Sequence, residues 1–229
     1  MPNQRTALLK ALRVMKSALE YGKKQIRPGR NEQAIAELLK TYLKKCGYAS
    51  PAFDFIIAAG EKAYFPHHIP GKQMIQKGDM VVVDFGVQTR VGCTDITRTF
   101  FLGKPNAKAR KYYSYVLRAQ DKAIKKIQSQ VPCKNVDAAA RQYLSARGLV
   151  KEFRHSTGHG VGAKVHQRPR ISKRSSSILQ EGDIITIEPG VYIKGWGGIR
   201  IEDMVEVKKN GSGVLSHMIP KDLQSMIIA

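Results

Sequence analysis

The chain has 229 residues, 42% of them hydrophobic and 25% charged, with 39 Lys and Arg against 18 Asp and Glu, a formal net charge of +21. That length suffices for one large domain with a substantial core or two small ones, and no apolar run approaches the roughly 18 residues that a membrane span requires. Cys46, Cys93 and Cys133 are odd in number and widely spaced, which argues against a disulfide framework or a cysteine-built zinc site and makes a reducing, cytoplasmic setting the expectation.

The start, MPNQRTALLKALRVMK, has neither the apolar core nor the small-residue cleavage site of a signal peptide. Leu8, Leu9, Ala11, Leu12, Met15, Ala18 and Leu19 recur at helical spacing and predict a helix ending near Gly22. After the turn RPGR, Asn31 is placed to cap a second helix through Ala34, Leu38, Leu39 and Leu43. Strand-like stretches follow at 53–60, 80–86 and 94–101. Helices resume after Pro105-Asn106, with Tyr112, Tyr115, Val116, Ala119, Ile124 and Ile127 on one stripe, and again from about Val136 to Gly148. The last third predicts strands at 183–193, 198–207 and 213–219. Two helices with a hairpin, then two helices with more strands, imply an α+β fold of two similar halves.

Three carboxylates stand where carboxylates are expensive. Asp84 closes the run Met-Val-Val-Val, Glu188 closes Ile-Ile-Thr-Ile, and Glu202 lies inside Ile-Arg-Ile-Glu-Asp-Met-Val. A buried ionised carboxylate needs a partner. If 80–86 and 94–101 form a hairpin turning about Gln88–Val91, Asp84 and Asp95 fall opposite one another, and like charges there must share a proton or a cation. Pairing with the many lysines and arginines is the plainer reading for any one acid. It is the poorer reading for four acids together with His155, His159 and His166, gathered in HSTGHGVGAKVHQRP. An oxygen-rich set with a single nitrogen suits hard or borderline divalent ions, manganese first, with cobalt, iron or zinc able to substitute. Four carboxylates nearly balance two such ions.

These blocks, FDFIIAAGEKAYFPHH, GDMVVVDFG, TDITRTFFLG, HSTGHGVGAKVHQRP, GDIITIEPGVYI and GIRIEDMVEV, resemble in order those of the pita-bread metallopeptidases, the family of methionine aminopeptidase, aminopeptidase P and prolidase. The resemblance covers essentially the whole chain. The expectation is a single catalytic domain over 1–229, a departure from aminopeptidase P and prolidase, which usually carry an extra N-terminal domain. The implied fold is pseudo-twofold, with a curved antiparallel sheet flanked by helices. It implies a two-metal centre in which Asp84 chelates one ion, His159 and Glu188 the other, and Asp95 and Glu202 bridge both. Ions so placed sit roughly 3.5–4 Å apart, and a bridging hydroxide attacks the scissile carbonyl. Glu188 becomes the general base, His166 hydrogen-bonds the substrate carbonyl, His67 is a further substrate contact, and His155 lines the leaving-residue pocket. His68 gains no role, and His217 reads as ordinary polarity.

Arg200, the PHH segment and the HxTGH histidine look like the Xaa-Pro-cleaving branch, and Arg200 could orient a ligand carboxylate from behind. The implied function is release of an N-terminal residue preceding proline, from peptides or dipeptides. Methionine removal is the alternative. A non-catalytic basic module of the same fold is a further one, which would give the +21 charge a use in weak nucleic-acid or ribosome contact. No membrane partner is expected, and a dimer is left open by the missing N-terminal domain. Gln167 departs from the acid that the family often carries after VH.

Overall fold

A computed structural model describes residues 4–48 and 50–229. Four helices, α1 (Gln4–Gln25), α2 (Glu32–Lys45), α3 (Ala107–Ile124) and α4 (Cys133–Ser145), pack as two pairs. The first half carries β1 (Ile56–Ala59), β2 (Met80–Phe85), β3 (Gln88–Thr89), β4 (Gly92–Cys93) and β5 (Ile96–Leu102). The second carries β6 (Gly158–Gly160), β7 (Gln167–Ile171), β8 (Ile184–Ile187), β9 (Gly190–Ile193), β10 (Gly197–Arg200), β11 (Asp203–Lys208) and β12 (Gly211–Val214), and β13 (Ile227–Ile228) closes the chain. The main sheets run β1-β2-β5-β13 and β12-β11-β8-β6-β7, with β9-β10 and β3-β4 as two-stranded ribbons. All pairings are antiparallel except β13 on β5. The α+β class and the helix-pair-then-sheet repeat are those expected. No described helix is long and apolar enough to cross a membrane.

The local signals act as anticipated at the helix starts. Asn31 Oδ1 accepts from Ala34 N at 2.7 Å and Asn106 Oδ1 from Ala109 N at 2.9 Å, each satisfying an amide that the helix leaves unpaired. Helix α1 runs on to Gln25, three residues past Gly22. That glycine is buried in the last turn, and a Cβ there would press on the Leu39 side chain of α2, so close helix packing selects it. On α3, Tyr113 is fully buried, while Tyr112 and Tyr115 are only partly covered.

Three strand expectations are corrected. The stretch 183–193 is two strands, broken at Glu188-Pro189, because proline has no amide to donate, although the Glu188 amide still donates to Thr157 O (2.8 Å) in the register of β6 on β8. The stretch 198–207 is likewise broken at Ile201-Glu202, where the Glu202 amide leaves the ladder for Thr97 O (3.1 Å). Beyond Val214 the chain turns rather than continuing as strand to 219. Conversely, the histidine segment, which carries no periodicity, supplies β6 and β7. The hairpin turns one residue later than expected, so Asp84 pairs with Thr97 rather than Asp95. The two acids become diagonal neighbours on one face, which still brings them together.

The halves are joined behind the second break by Arg98. Its fully buried guanidinium donates to the carbonyls of Thr97, Glu202, Ile219 and Pro220 and to Asp203 Oδ1 (2.8 Å). Burial would raise the Asp203 carboxyl, but Arg98 and Lys221 outweigh it and hold that group below the usual range. Arg98→Met leaves several buried acceptors unmet and a buried carboxylate short of a partner, a loss of about 3–5 kcal/mol. Thermal melts of the metal-loaded protein should fall on the order of 10 °C, and a shift within 2 °C, roughly the value of a single surface contact, would contradict this account.

Candidate metal centre

The strand breaks aim carboxylates inward. Asp84 is the penultimate residue of β2, Asp95 precedes β5, Glu188 follows β8 and Glu202 precedes β11. His159 enters from β6, whose glycines have a definite use. A Cβ on Gly158 would overlap the Thr186 carbonyl of β8, and one on Gly160 the Arg168 carbonyl of β7, so only glycine lets this strand lie between its neighbours. Neither has the left-handed backbone expected of a flexible loop.

One oxygen each from Asp84, Asp95 and Glu202 lies within 4.8 Å of the others, and so do a ring nitrogen of His159 and one oxygen each from Glu188 and Glu202. Glu202 is common to both groups. Asp84, Asp95, His159 and Glu202 are each less than a tenth exposed, while Glu188 is partly open to a cavity above. His159 Nδ1 lies 3.2 Å from Gly160 O, to which it donates, leaving Nε2 as a lone pair 3.4 Å from Glu188 Oε1 and 3.6 Å from Asp95 Oδ2. Burial, then the nearby His166 ring, lowers His159 to about 4, so it is a neutral ligand at physiological pH.

Electrostatics here are unfavourable without a counter-ion. Burial and then Glu202 raise the Asp95 carboxyl, and burial and then Glu188 raise that of Glu202. Burial carries Glu188 from 4.5 to about 8, with Asp84 adding to it and Arg200 opposing. Of the four acids only Asp84 meets a basic side chain among the described residues, through Oδ2 to Arg200 Nη2 at 2.7 Å. Asp84 Oδ1 and Asp95 Oδ1 are buried without a hydrogen-bond partner. Widespread pairing of the acids with lysine and arginine is therefore not what the chain adopts. Two orphaned oxygens, an imidazole lone pair and an excess of carboxylate fit divalent cations.

Arg200 also donates to Tyr192 Oη (2.8 Å), Thr97 Oγ1 (3.2 Å) and Pro66 O (3.3 Å). Tyr192 Oη in turn meets His155 Nε2 at 2.8 Å, and His155 Nδ1 lies 2.8 Å from Ser156 O. Burial, then Arg200, lowers His155 to about 3, so Nδ1 donates to Ser156 and Nε2 accepts from Tyr192. His155 stands 4.0 Å from Glu188 Oε2. Thr97 Oγ1 donates to Glu202 Oε2 at 2.7 Å. Behind the histidine strand, Arg141 grips Asp137 and the carbonyls of Phe153 and His155, and Thr157 donates to Asp137.

His67 and His166 are exposed at the cavity, the His166 ring 4.4 Å from that of His159. The cavity holds about 1210 Å³ and is walled by Phe53, Ile56, Pro66, Ile69, Arg170 and the serines of 172–177. Gln167 is exposed on the same wall, and His217 is exposed elsewhere. All the nominated residues thus line this one cavity. Tyr192 and Thr97 were not anticipated, and no local pattern signals them. Each gains its partners through strand contacts made by residues distant in the chain.

A fold of two helix-pair-and-sheet halves, with acids and a histidine converging on its interior, defines the pita-bread class of metal-dependent enzymes. Residues 6–209 match Metallopeptidase family M24, and the chain belongs to that family. It is 40% identical over 203 residues to the Xaa-Pro dipeptidase of Pyrococcus horikoshii, covering 89% of this chain and 58% of that protein. It is also 40% identical over 223 residues to a putative Xaa-Pro aminopeptidase of Mycoplasma pneumoniae, covering 96% and 63%. Among solved structures, the Xaa-Pro dipeptidase from Bacillus anthracis superposes with a TM-score of 0.95 at 36% identity, over 100% of this chain and 63% of that one. The chain spans about three fifths of the length of these relatives.

Proposed function

We propose that the chain is a divalent-metal-dependent exopeptidase that releases an N-terminal residue preceding proline. The observation that carries it is the pair of unpartnered buried oxygens on Asp84 and Asp95, set among Glu188, Glu202 and the His159 lone pair at the base of an open cavity. In this reading Asp84 and Asp95, with Glu202, hold one ion, and His159 and Glu188 complete a second site with Asp95 and Glu202 shared. Manganese is favoured by the oxygen-rich set, with cobalt, iron or zinc as substitutes. Ions held there supply charge neutralisation, polarisation of a carbonyl and activation of water.

The chain's own groups supply the rest. Arg200 occupies one oxygen of Asp84 and leaves the other for a ligand, and Thr97 does the same for Glu202. Glu188, partly open to the cavity and within reach of a bound water, is placed to move a proton. It takes one from the attacking water and returns it to the proline nitrogen as the C–N bond breaks. His166, shifted below the ordinary histidine value by partial desolvation, reaches the scissile carbonyl oxygen from the cavity wall, and His67 contacts the substrate beside it. His155, fixed by Tyr192, lines the pocket for the residue released.

The Xaa-Pro preference is supported by the relatives named for it and by the Arg200, PHH and HxTGH features gathered at the cavity. The test is a parallel assay, with manganese, of Xaa-Pro dipeptides, longer Xaa-Pro peptides and Met-Ala peptides. Xaa-Pro bonds should be cut, with activity lost to chelator and restored by metal. Cleavage of Met-Ala alone, or of none, would overturn the proposal.

A further inference from the structure

The segment bearing His67 has no helix or strand from 65 to 73, yet it is tied down at both ends. Before His67, Arg154 donates to Tyr64 O (2.6 Å) and Arg200 to Pro66 O (3.3 Å). After it, the Gln33 amide donates to Gly71 O (3.1 Å) and that of Glu32 to Gln73 O (3.3 Å), zipping 71–73 to the start of α2. Between these anchors, the one side-chain tie among the described residues comes from His68. Its Nε2 lies 2.7 Å from Glu32 Oε2.

Glu32 is unusual for a first-turn carboxylate in being fully buried. Oε1 accepts from Ala59 N (2.8 Å), and Oε2 accepts from Gly71 N (3.0 Å) as well as from His68. One buried acid thus connects α2, the end of β1 and the middle of the His67 segment. His67 itself has no hydrogen bond among the described residues, and its neighbour Ile69 is 82% exposed. Nothing on the solvent side holds the imidazole over the cavity. What fixes its place is the backbone, which Arg200 holds before it at Pro66 O, a turn closes from His68 N to Phe65 O (3.2 Å), and the His68 side chain ties to α2 after it.

We propose that Glu32 and His68 are positioning residues that act through His67, a strut that sets its imidazole over the reacting carbonyl. This rests on the peptidase reading above. An imidazole that must meet a substrate oxygen is effective only when its backbone is held to within about half an ångström. A displacement of about 1 Å is enough for large rate losses.

The experiment uses the metal-loaded full chain as wild type, His68→Ala, His68→Gln, His67→Ala and the His67/His68 double alanine variant. With an Xaa-Pro substrate, His68→Ala should lower kcat/KM about tenfold, chiefly in kcat. His68→Gln, which retains a donor toward Glu32, should recover most of it. The double variant should match His67→Ala, because a strut with nothing to position has no effect. An unchanged His68→Ala, or its full effect persisting without His67, would overturn the proposal. A second readout does not depend on turnover. Amide exchange at 68–71 should quicken in His68→Ala by more than at other sites of comparable burial, whatever fall in melting temperature follows from leaving Glu32 short of a partner. Exchange at 68–71 unchanged, or changed only in step with the rest of the chain, would sink the strut whether or not the chain cleaves Xaa-Pro bonds.

Discussion

Glu188→Gln folds normally, binds metal more weakly and loses catalysis by roughly 10³-fold in kcat, in the range for a missing general base. The two side chains have nearly the same shape, and the backbone tie from Glu188 N to Thr157 O is untouched. What disappears is the ability to carry a proton and one negative charge. At this position the charge is held against burial and the field of Asp84, which is why the carboxyl is raised to about 8. The metal-free variant should therefore melt above the metal-free wild type at pH 8, even though it is inactive. Steady-state kinetics at saturating manganese, metal content and two melting curves decide the matter. Retention of a tenth of wild-type kcat would remove Glu188 from the chemistry, since the loss would fall short of the roughly 10²-fold minimum for such a role.

Removing the ions has a comparably large effect on stability. A ligand a hundredfold above its Kd contributes about 2.7 kcal/mol per site, and a domain of this size shifts about 2–4 °C per kcal/mol. Chelation at pH 8 should lower the melting temperature on the order of 10 °C. The pH dependence has a definite sign. Between 4.5 and about 8 the folded metal-free protein holds a proton on Glu188 that the unfolded chain has lost, so stability falls as pH rises through that window. Asp95 and Glu202, also raised, act in the same direction. His155 and His159 oppose them below 6.5. Lowered to about 3 and about 4, they refuse protons that the unfolded chain accepts, so stability falls as pH drops below 6.5. The clean interval is pH 6.5 to 8, where the carboxylates act alone. Within it the metal-free protein should melt higher at 6.5 than at 8, and the loss on chelation should be smaller. A chelator effect equal at both values would mean that the acids are not crowded in the way described.

Most of the metal centre was legible because its residues violate a local rule. An acid closing Met-Val-Val-Val, as Asp84 does, contradicts the burial that the run predicts, and Glu188 repeats the anomaly. The helix caps Asn31 and Asn106 were legible because a cap involves a side chain and an amide only three residues apart. The strand break at 188 has a local sign in Pro189, which has no amide for a ladder. The break at 201 has none, because its cause is the hydrogen bond from the Glu202 amide to a carbonyl elsewhere in the fold, at Thr97. The register of the hairpin was misread by two positions for a related reason. Turn length was inferred from symmetry, whereas Val87 and Thr94 pair with each other, closing a longer ladder around Arg90-Val91.

Sequence alone predicted the class of fold, the helical pairs and the excess of positive charge, which depend on composition, period and short spacing, and its resemblance to the pita-bread metallopeptidases nominated the acids and histidines that the structure gathers at one cavity. Only the tertiary structure decided that Arg200 leaves one Asp84 oxygen free, that Tyr192 sets the His155 tautomer and that His68 is braced by Glu32. Those partners lie 116, 37 and 36 residues apart. A hydrogen bond demands placement to a few tenths of an ångström, and across such separations that placement is set by the packing of whole strands and helices rather than by any pattern along the chain.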